Sequence, residues 1–209
     1  MPEGAEGGCR QRPCAAVHTL RRVVLTGGPG AGKTAALGIL RRYLCPHVAV
    51  LPEAASVLFG GGFPRRPDDD SRRAAQRAIV RVQMELEALP EFNDNLAIAL
   101  CDRGTVDGVA YWPGDARELF TQTGTTLEAQ LARYDTVIHL RTPTEALGYN
   151  HDNTVRTESA VEAAVIDARI EQAWNGHPRR FVIESERDFL SKALHVLDIV
   201  RAVVPPCCR

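Results

Sequence analysis

Residues 23–34 read Val-Val-Leu-Thr-Gly-Gly-Pro-Gly-Ala-Gly-Lys-Thr, and this stretch decides the fold. Val23 to Thr26 is a short, nearly continuous apolar run, the pattern of a strand buried on both faces of a parallel sheet. Gly27, Gly28, Pro29, Gly30, Ala31, Gly32, Lys33 and Thr34 then fit G-x-x-x-x-G-K-[ST], and a helical stretch from Ala35 to Tyr43 follows. Strand, loop and helix in that order form a phosphate cradle. The glycines let the backbone curl so that successive N–H groups and the helix N-terminus face phosphate oxygens. Lys33 is expected to reach the β- and γ-phosphates, and Thr34 to offer its hydroxyl to Mg²⁺. The expected cofactors are ATP (or GTP) and Mg²⁺.

Further apolar runs recur at 48–51, 96–101, 136–140 and 181–183. Between them the period is helical. Ala75, Ile79, Val82, Leu86 and Leu89 form one stripe of a helix that ends before Pro90. Thr125 to Glu128 and Ser159 to Glu162 read as capping boxes. Beyond the second, Ile166, Ile170, Ala173 and Trp174 line one face, and a wide apolar helix runs from about Asp188 to Val204. Alternating strands and helices predict a three-layer α/β/α P-loop NTPase sandwich around a parallel five-stranded sheet. One domain is expected over 21–205, with a disordered leader at 1–20 and a tail at 206–209. Two loops stand out, Phe59 to Asp70 and Thr142 to Thr157, because ligands bind at the carboxyl ends of parallel strands.

The bulk properties fit this frame. A net charge of −1 and a pI near 6.6 give no reason to expect a nucleic-acid partner. No run approaches the ~18 apolar residues of a transmembrane helix. The six cysteines, Cys9, Cys14, Cys45, Cys101, Cys207 and Cys208, lack paired metal spacing and read as reduced thiols of a cytoplasmic protein.

Candidate catalytic residues come from strand ends. Asp102 follows the third run, where a carboxylate can hold Mg²⁺ through water or take a proton from an attacking hydroxyl. Arg103, Gly104 and Asp107 cluster behind it. Glu53 follows the second run, a place for the base that faces an acceptor hydroxyl. Arg156 precedes a capped helix and can neutralise charge on a transferring phosphoryl group; Arg169 is a weaker candidate. Arg65 and Arg66 could meet an anionic substrate or simply face solvent. Tyr111 and Trp112 could stack on a ring, with core packing favoured. Gln83 and Glu87 share a helix with a core stripe; Gln83 could read a base edge, with a solvated face favoured.

Taken together, GGPGAGKT, LPEAA, FGGGFPRR, VQMELE, CDRGTVDGVAYWPG, HLRTP and RTES with a distal AW resemble the AAA-type P-loop family. That family includes the ribosylnicotinamide kinase domain of bacterial NadR proteins. It also includes an animal protein involved in moving a TRPL channel, described as binding GTP and a phosphoinositide. The resemblance runs from about Arg22 to Val204. It implies that Gly27 to Thr34 hold the nucleotide and that Asp102-Arg103 is the acidic-Arg pair after the third strand. It implies that Glu53 is the acidic residue after the second strand and Arg156 a lid arginine. The leading expectation is an ATP-dependent phosphotransferase with a small, nucleoside-like acceptor. The rivals are a GTP/ATP switch acting through a protein or phosphoinositide partner, and an NTPase without an acceptor.

Overall fold

The computed structural model describes residues 17–143, 159–185, 188–205 and 207. Its sheet has five parallel strands in the order β2-β3-β1-β4-β5, with β1 (Arg21–Thr26), β2 (Val48–Leu51), β3 (Ile98–Asp102), β4 (Thr136–Leu140) and β5 (Arg180–Ile183). The phosphate-loop strand is therefore central. Its neighbour β3 pairs Leu25 with Asp102, which sets that carboxylate beside the loop. The third strand ends at Asp102, as expected, and begins at Ile98, two residues after the start of the apolar run.

Alternation along β1 divides the core. Val23 and Leu25 face the layer of α1 (Lys33–Tyr43) and α7 (Phe189–Val203), packing with Leu37, Leu40, Val196 and Val200. Val24 faces the other layer with Cys101, Val106, Ile170 and Trp174. Each large aliphatic side chain buried there contributes about 1.5–3 kcal/mol. The second layer is built on α6 (Ala160–Ala173), capped by Ser159 in the expected box with Glu162. It also takes in the 3-10 turn Thr105–Tyr111 and α5 (Leu127–Leu131). The cap of α5 is Thr126, one residue later than expected, since its hydroxyl accepts from Ala129 N–H. Outside these layers lie α2 (Ala54–Gly60), α3 (Asp69–Ala88) and α4 (Ala116–Gln122). Phe59 and Gly60 close α2, so the first of the two loops begins later than the sequence suggests.

The largest departure is the face that α3 buries. The apolar stripe Ile79, Val82 and Leu86 is only half-buried, and Leu89 is 61% exposed. Gln83 and Glu87, expected on a solvated face, are 2% and 0% exposed. The reason is a satisfied polar network. The Glu87 carboxylate accepts from Tyr134 Oη at 2.7 Å, Arg133 Nη2 at 2.7 Å and Gln83 Nε2 at 2.8 Å. Buried polar groups are tolerated when so paired, and pairing with an arginine offsets much of the cost of burying the charge.

Val17 to Leu20, expected in the leader, lies against the domain. His18 N–H donates to the Asp94 carbonyl, and Leu20 packs on the Trp174 side of the core. Among the described residues, no helix is long and apolar enough to cross a membrane.

Candidate functional site

The phosphate loop joins β1 to α1, and its shape is dictated by close approach. Gly27 has φ +132, and a Cβ there would lie 2.1 Å from the Leu140 carbonyl oxygen. No other residue fits at that point. Thr34 lies exposed in the first turn of α1, its hydroxyl open to a ligand. Lys33 is folded onto the loop. Its Nζ donates to the carbonyl oxygens of Gly27 at 2.8 Å and Gly28 at 2.9 Å. Burial first, and the Arg103 guanidinium second, push the Lys33 pKa down to about 7.

Asp102 and Glu53 stand at successive strand ends. Asp102 is 7% exposed, and burial lifts its pKa to about 6 while Lys33 pulls the other way. Its carboxylate accepts no hydrogen bond from the described residues, so its oxygens are uncommitted. Together with the Thr34 hydroxyl, that is a hard-oxygen donor set suited to Mg²⁺. Glu53, the N-cap of α2, is committed: Oε1 accepts from Arg103 Nε at 2.6 Å and Oε2 from Ser56 Oγ at 2.5 Å. Burial pushes its pKa up, but Arg103, Ser56 and Lys33 together hold it below the usual carboxylate range.

Arg103 connects the parts. Beyond Glu53, its Nη1 donates to the Gly27 carbonyl at 3.1 Å and to Asp107 Oδ2 at 3.2 Å. It does so from φ +70, a left-handed conformation that costs a non-glycine residue about 1–3 kcal/mol. The backbone is held there by its N–H on the Leu25 carbonyl at 3.0 Å and by Gln83 Nε2 on its own carbonyl at 3.2 Å. Asp107 in turn accepts from Thr26 Oγ1 at 2.7 Å and Trp174 Nε1 at 2.6 Å. Lys33, Glu53, Asp102 and Arg103 thus stand around the phosphate loop, with Gln83 and Asp107 supporting Arg103.

Two further residues carry no motif. Asp167 on α6 accepts from Gly28 N–H at 2.7 Å and contacts His139 Nε2 at 3.0 Å. Burial opposes its ionisation, yet His139 and the N–H groups of Gly28 and Thr142 keep its pKa below the usual range. A signal existed. Ala163, Asp167, Ile170 and Trp174 share the buried face of α6, where a lone carboxylate needs a partner. Tyr111 lies with its ring 5.9 Å from the Arg103 guanidinium carbon, whereas Trp112 packs in the core beside α4. Arg65, Arg66 and Arg169 are exposed, and the Arg65 guanidinium lies over the Phe59 ring. Arg156 lies outside the described residues, as does most of the loop Thr142 to Thr157.

Comparison with known proteins agrees with this geometry. A family model described as an AAA domain matches residues 22–191. No curated protein matches the sequence. Among solved structures, thymidylate kinase from Candida albicans superposes with a TM-score of 0.59 at 14% identity, covering 90% of this chain and 93% of that one. At that identity the likeness is one of fold.

Proposed function

The chain belongs to the AAA-domain family, and from that membership and the site geometry we propose that it is a phosphotransferase. It moves the γ-phosphoryl group of ATP to a hydroxyl of a small, nucleoside-like acceptor. The observation that carries this reading is the Arg103 fork, which spans the phosphate-loop carbonyl of Gly27 and the Glu53 carboxylate. A second carboxylate held apart from the phosphate loop leaves room between the two for an acceptor hydroxyl, which supports transfer to an acceptor.

Strand spacing supports a division of roles. Adjacent strands are about 4.8 Å apart, so Asp102 on β3 lies one strand from the loop and Glu53, after β2, about two. Asp102 is on the phosphate side and Glu53 on the acceptor side. Lys33 leaves the Gly27 and Gly28 carbonyls to meet the β- and γ-phosphates. Thr34 and Asp102 would hold Mg²⁺, which offsets the negative charge of the phosphates. Glu53, ionised and oriented by Arg103 and Ser56, accepts the proton of the attacking hydroxyl. Asp167 fixes the Gly28 N–H and so the curvature of the cradle.

The test is transfer from γ-labelled ATP to a panel that includes ribosylnicotinamide, the common nucleosides and thymidine monophosphate. A labelled, phosphorylated acceptor is the expected result. Release of inorganic phosphate alone across the panel would reject the proposal in favour of an NTPase. Tight binding without turnover would favour a nucleotide-held switch.

A further inference from the structure

A second side-chain cluster lies at the amino ends of the strands, at the opposite end of the sheet from the phosphate loop. His18 precedes β1, His47 precedes β2, and Cys207 follows the end of α7. Because the strands are parallel and α7 returns along them, these three points of the chain meet. His18 Nε2 lies 3.6 Å from Cys207 Sγ, and His47 Nδ1 lies 3.8 Å from it. All three ligand atoms fall within 4.8 Å of one another.

Zinc bonds of about 2.3 Å to sulfur and about 2.0–2.1 Å to nitrogen, at a tetrahedral angle, place S and N about 3.5 Å apart. Both sulfur–nitrogen separations are close to that value before any ion pulls them in. We propose that His18, His47 and Cys207 form a Zn²⁺ site, with the fourth position taken by water. The donor set of two imidazoles and one thiolate selects zinc over the hard cations that the phosphate end attracts.

The two histidines are held by backbone that is already paired. His18 N–H bonds to the Asp94 carbonyl, and the His47 carbonyl accepts from both Ala97 and Ile98 N–H. The imidazole centroids lie 4.8 Å apart, with the rings tilted by 55°. An ion has a route in, since His18 lines a cleft of about 330 Å³ with Ala202 and Pro205. The site would act as a staple. It ties the segment entering β1 to the residues after α7, closing nearly the whole chain into a loop, where a cross-link restricts the unfolded ensemble most.

The experiment uses the full-length chain, stripped by a chelator and kept reduced. Zn²⁺ titration against a competing chromophoric chelator is expected to give one ion per chain. Co²⁺ substitution is expected to give tetrahedral d–d bands with a thiolate-to-cobalt band. Zinc at about 100 times its Kd is expected to raise Tm by roughly 5–10 °C. Cys207→Ser and His18→Gln should each weaken zinc at least ~10-fold and abolish the Tm rise. Nucleotide affinity, read at the other end of the sheet, should be unchanged in both and confirms that they fold. Cys9→Ser/Cys14→Ser/Cys208→Ser should keep the site. Zinc affinity unaltered by Cys207→Ser, loss of the site in the triple variant, or a cobalt spectrum without the thiolate band would each overturn the proposal.

Discussion

The Lys33 ammonium nitrogen lies 2.8 Å from the carbonyl oxygen of Gly27, so the phosphate lysine is closed onto its own loop. This contact and the low Lys33 pKa have a thermodynamic consequence. Free Lys33 titrates near about 7, and nucleotide phosphates must raise that value. Above that pH the free chain holds a neutral amine, and binding takes up a proton. Asp102 has the opposite sense. Its free pKa of about 6 must fall when its carboxylate meets a cation, so below that pH binding releases a proton. Mg-nucleotide affinity should peak between the two values and decline on both sides. Calorimetry in buffers of different ionisation enthalpy should show uptake at about pH 8 and release at about pH 5.5. Heats independent of buffer at both values would remove Lys33 and Asp102 from the nucleotide site.

The two carboxylates should separate kinetically. Asp102→Asn is expected to leave binding of the metal-free nucleotide largely intact, weaken that of the Mg-nucleotide, lower phosphoryl transfer by at least ~100-fold, and raise the Mg²⁺ concentration needed for half-maximal rate. Glu53→Gln is expected to lower kcat by about 10²–10⁴-fold with the Mg²⁺ dependence unchanged. A raised Mg²⁺ requirement in Glu53→Gln and not in Asp102→Asn would exchange their roles.

Glu87 should matter for folding more than for chemistry. Its carboxylate is fully buried and shared among Tyr134, Arg133 and Gln83. Glu87→Ala leaves the Arg133 guanidinium without its carboxylate and the Tyr134 phenol with only Thr105 Oγ1, at 3.1 Å, to donate to, and the expected loss is about 3–5 kcal/mol. Tyr134→Phe removes one donor to Glu87 and also the acceptor of the Thr105 N–H at 2.7 Å, and should cost about 1–3 kcal/mol. Denaturant midpoints measure both. A Glu87→Ala loss near that of an ordinary surface change would mean that apolar contacts, and not this network, set the rotation of α3.

The same residues explain what could be read from sequence. Strand runs and the loop motif are local signals, and they located all five strands; the place of Asp102 beside the cradle comes from the pairing of β3 with β1, which is not local. The rotation of α3 is not local. Its apolar stripe predicts Ile79, Val82 and Leu86 inside, and only the distant Tyr134 and Arg133 make Glu87 the better residue to bury. The place of Asp167 with Ala163 and Ile170 on α6 is a local signal of burial, but the Gly28 N–H that it accepts from is 139 residues away. The His18–His47–Cys207 cluster lacks paired spacing because its members come from three separate chain segments. Arg103 was named as part of an acidic-Arg pair, but its left-handed backbone follows from tertiary hydrogen bonds and has no sequence signature.

That backbone allows strain and function at Arg103 to be measured apart. Arg103→Ala and Arg103→Gly remove the same guanidinium, so each loses the fork between Gly27 and Glu53, and each should lose at least ~100-fold in phosphoryl transfer. They differ in the cost of φ +70. Alanine keeps the Cβ clash of the left-handed region, while glycine adopts it freely. Glycine also gains freedom in the unfolded chain, which works against it by about 0.5–1 kcal/mol. The clash at a left-handed residue is the larger effect, at about 1–2 kcal/mol. Arg103→Gly should therefore be the more stable of the two by about 1 kcal/mol, read from urea midpoints at equal m-values, while the two remain equally inactive. If Arg103→Ala is the more stable, the left-handed turn is not retained without its guanidinium. The fork would then be the cause of the strained backbone at the end of β3, and not its consequence.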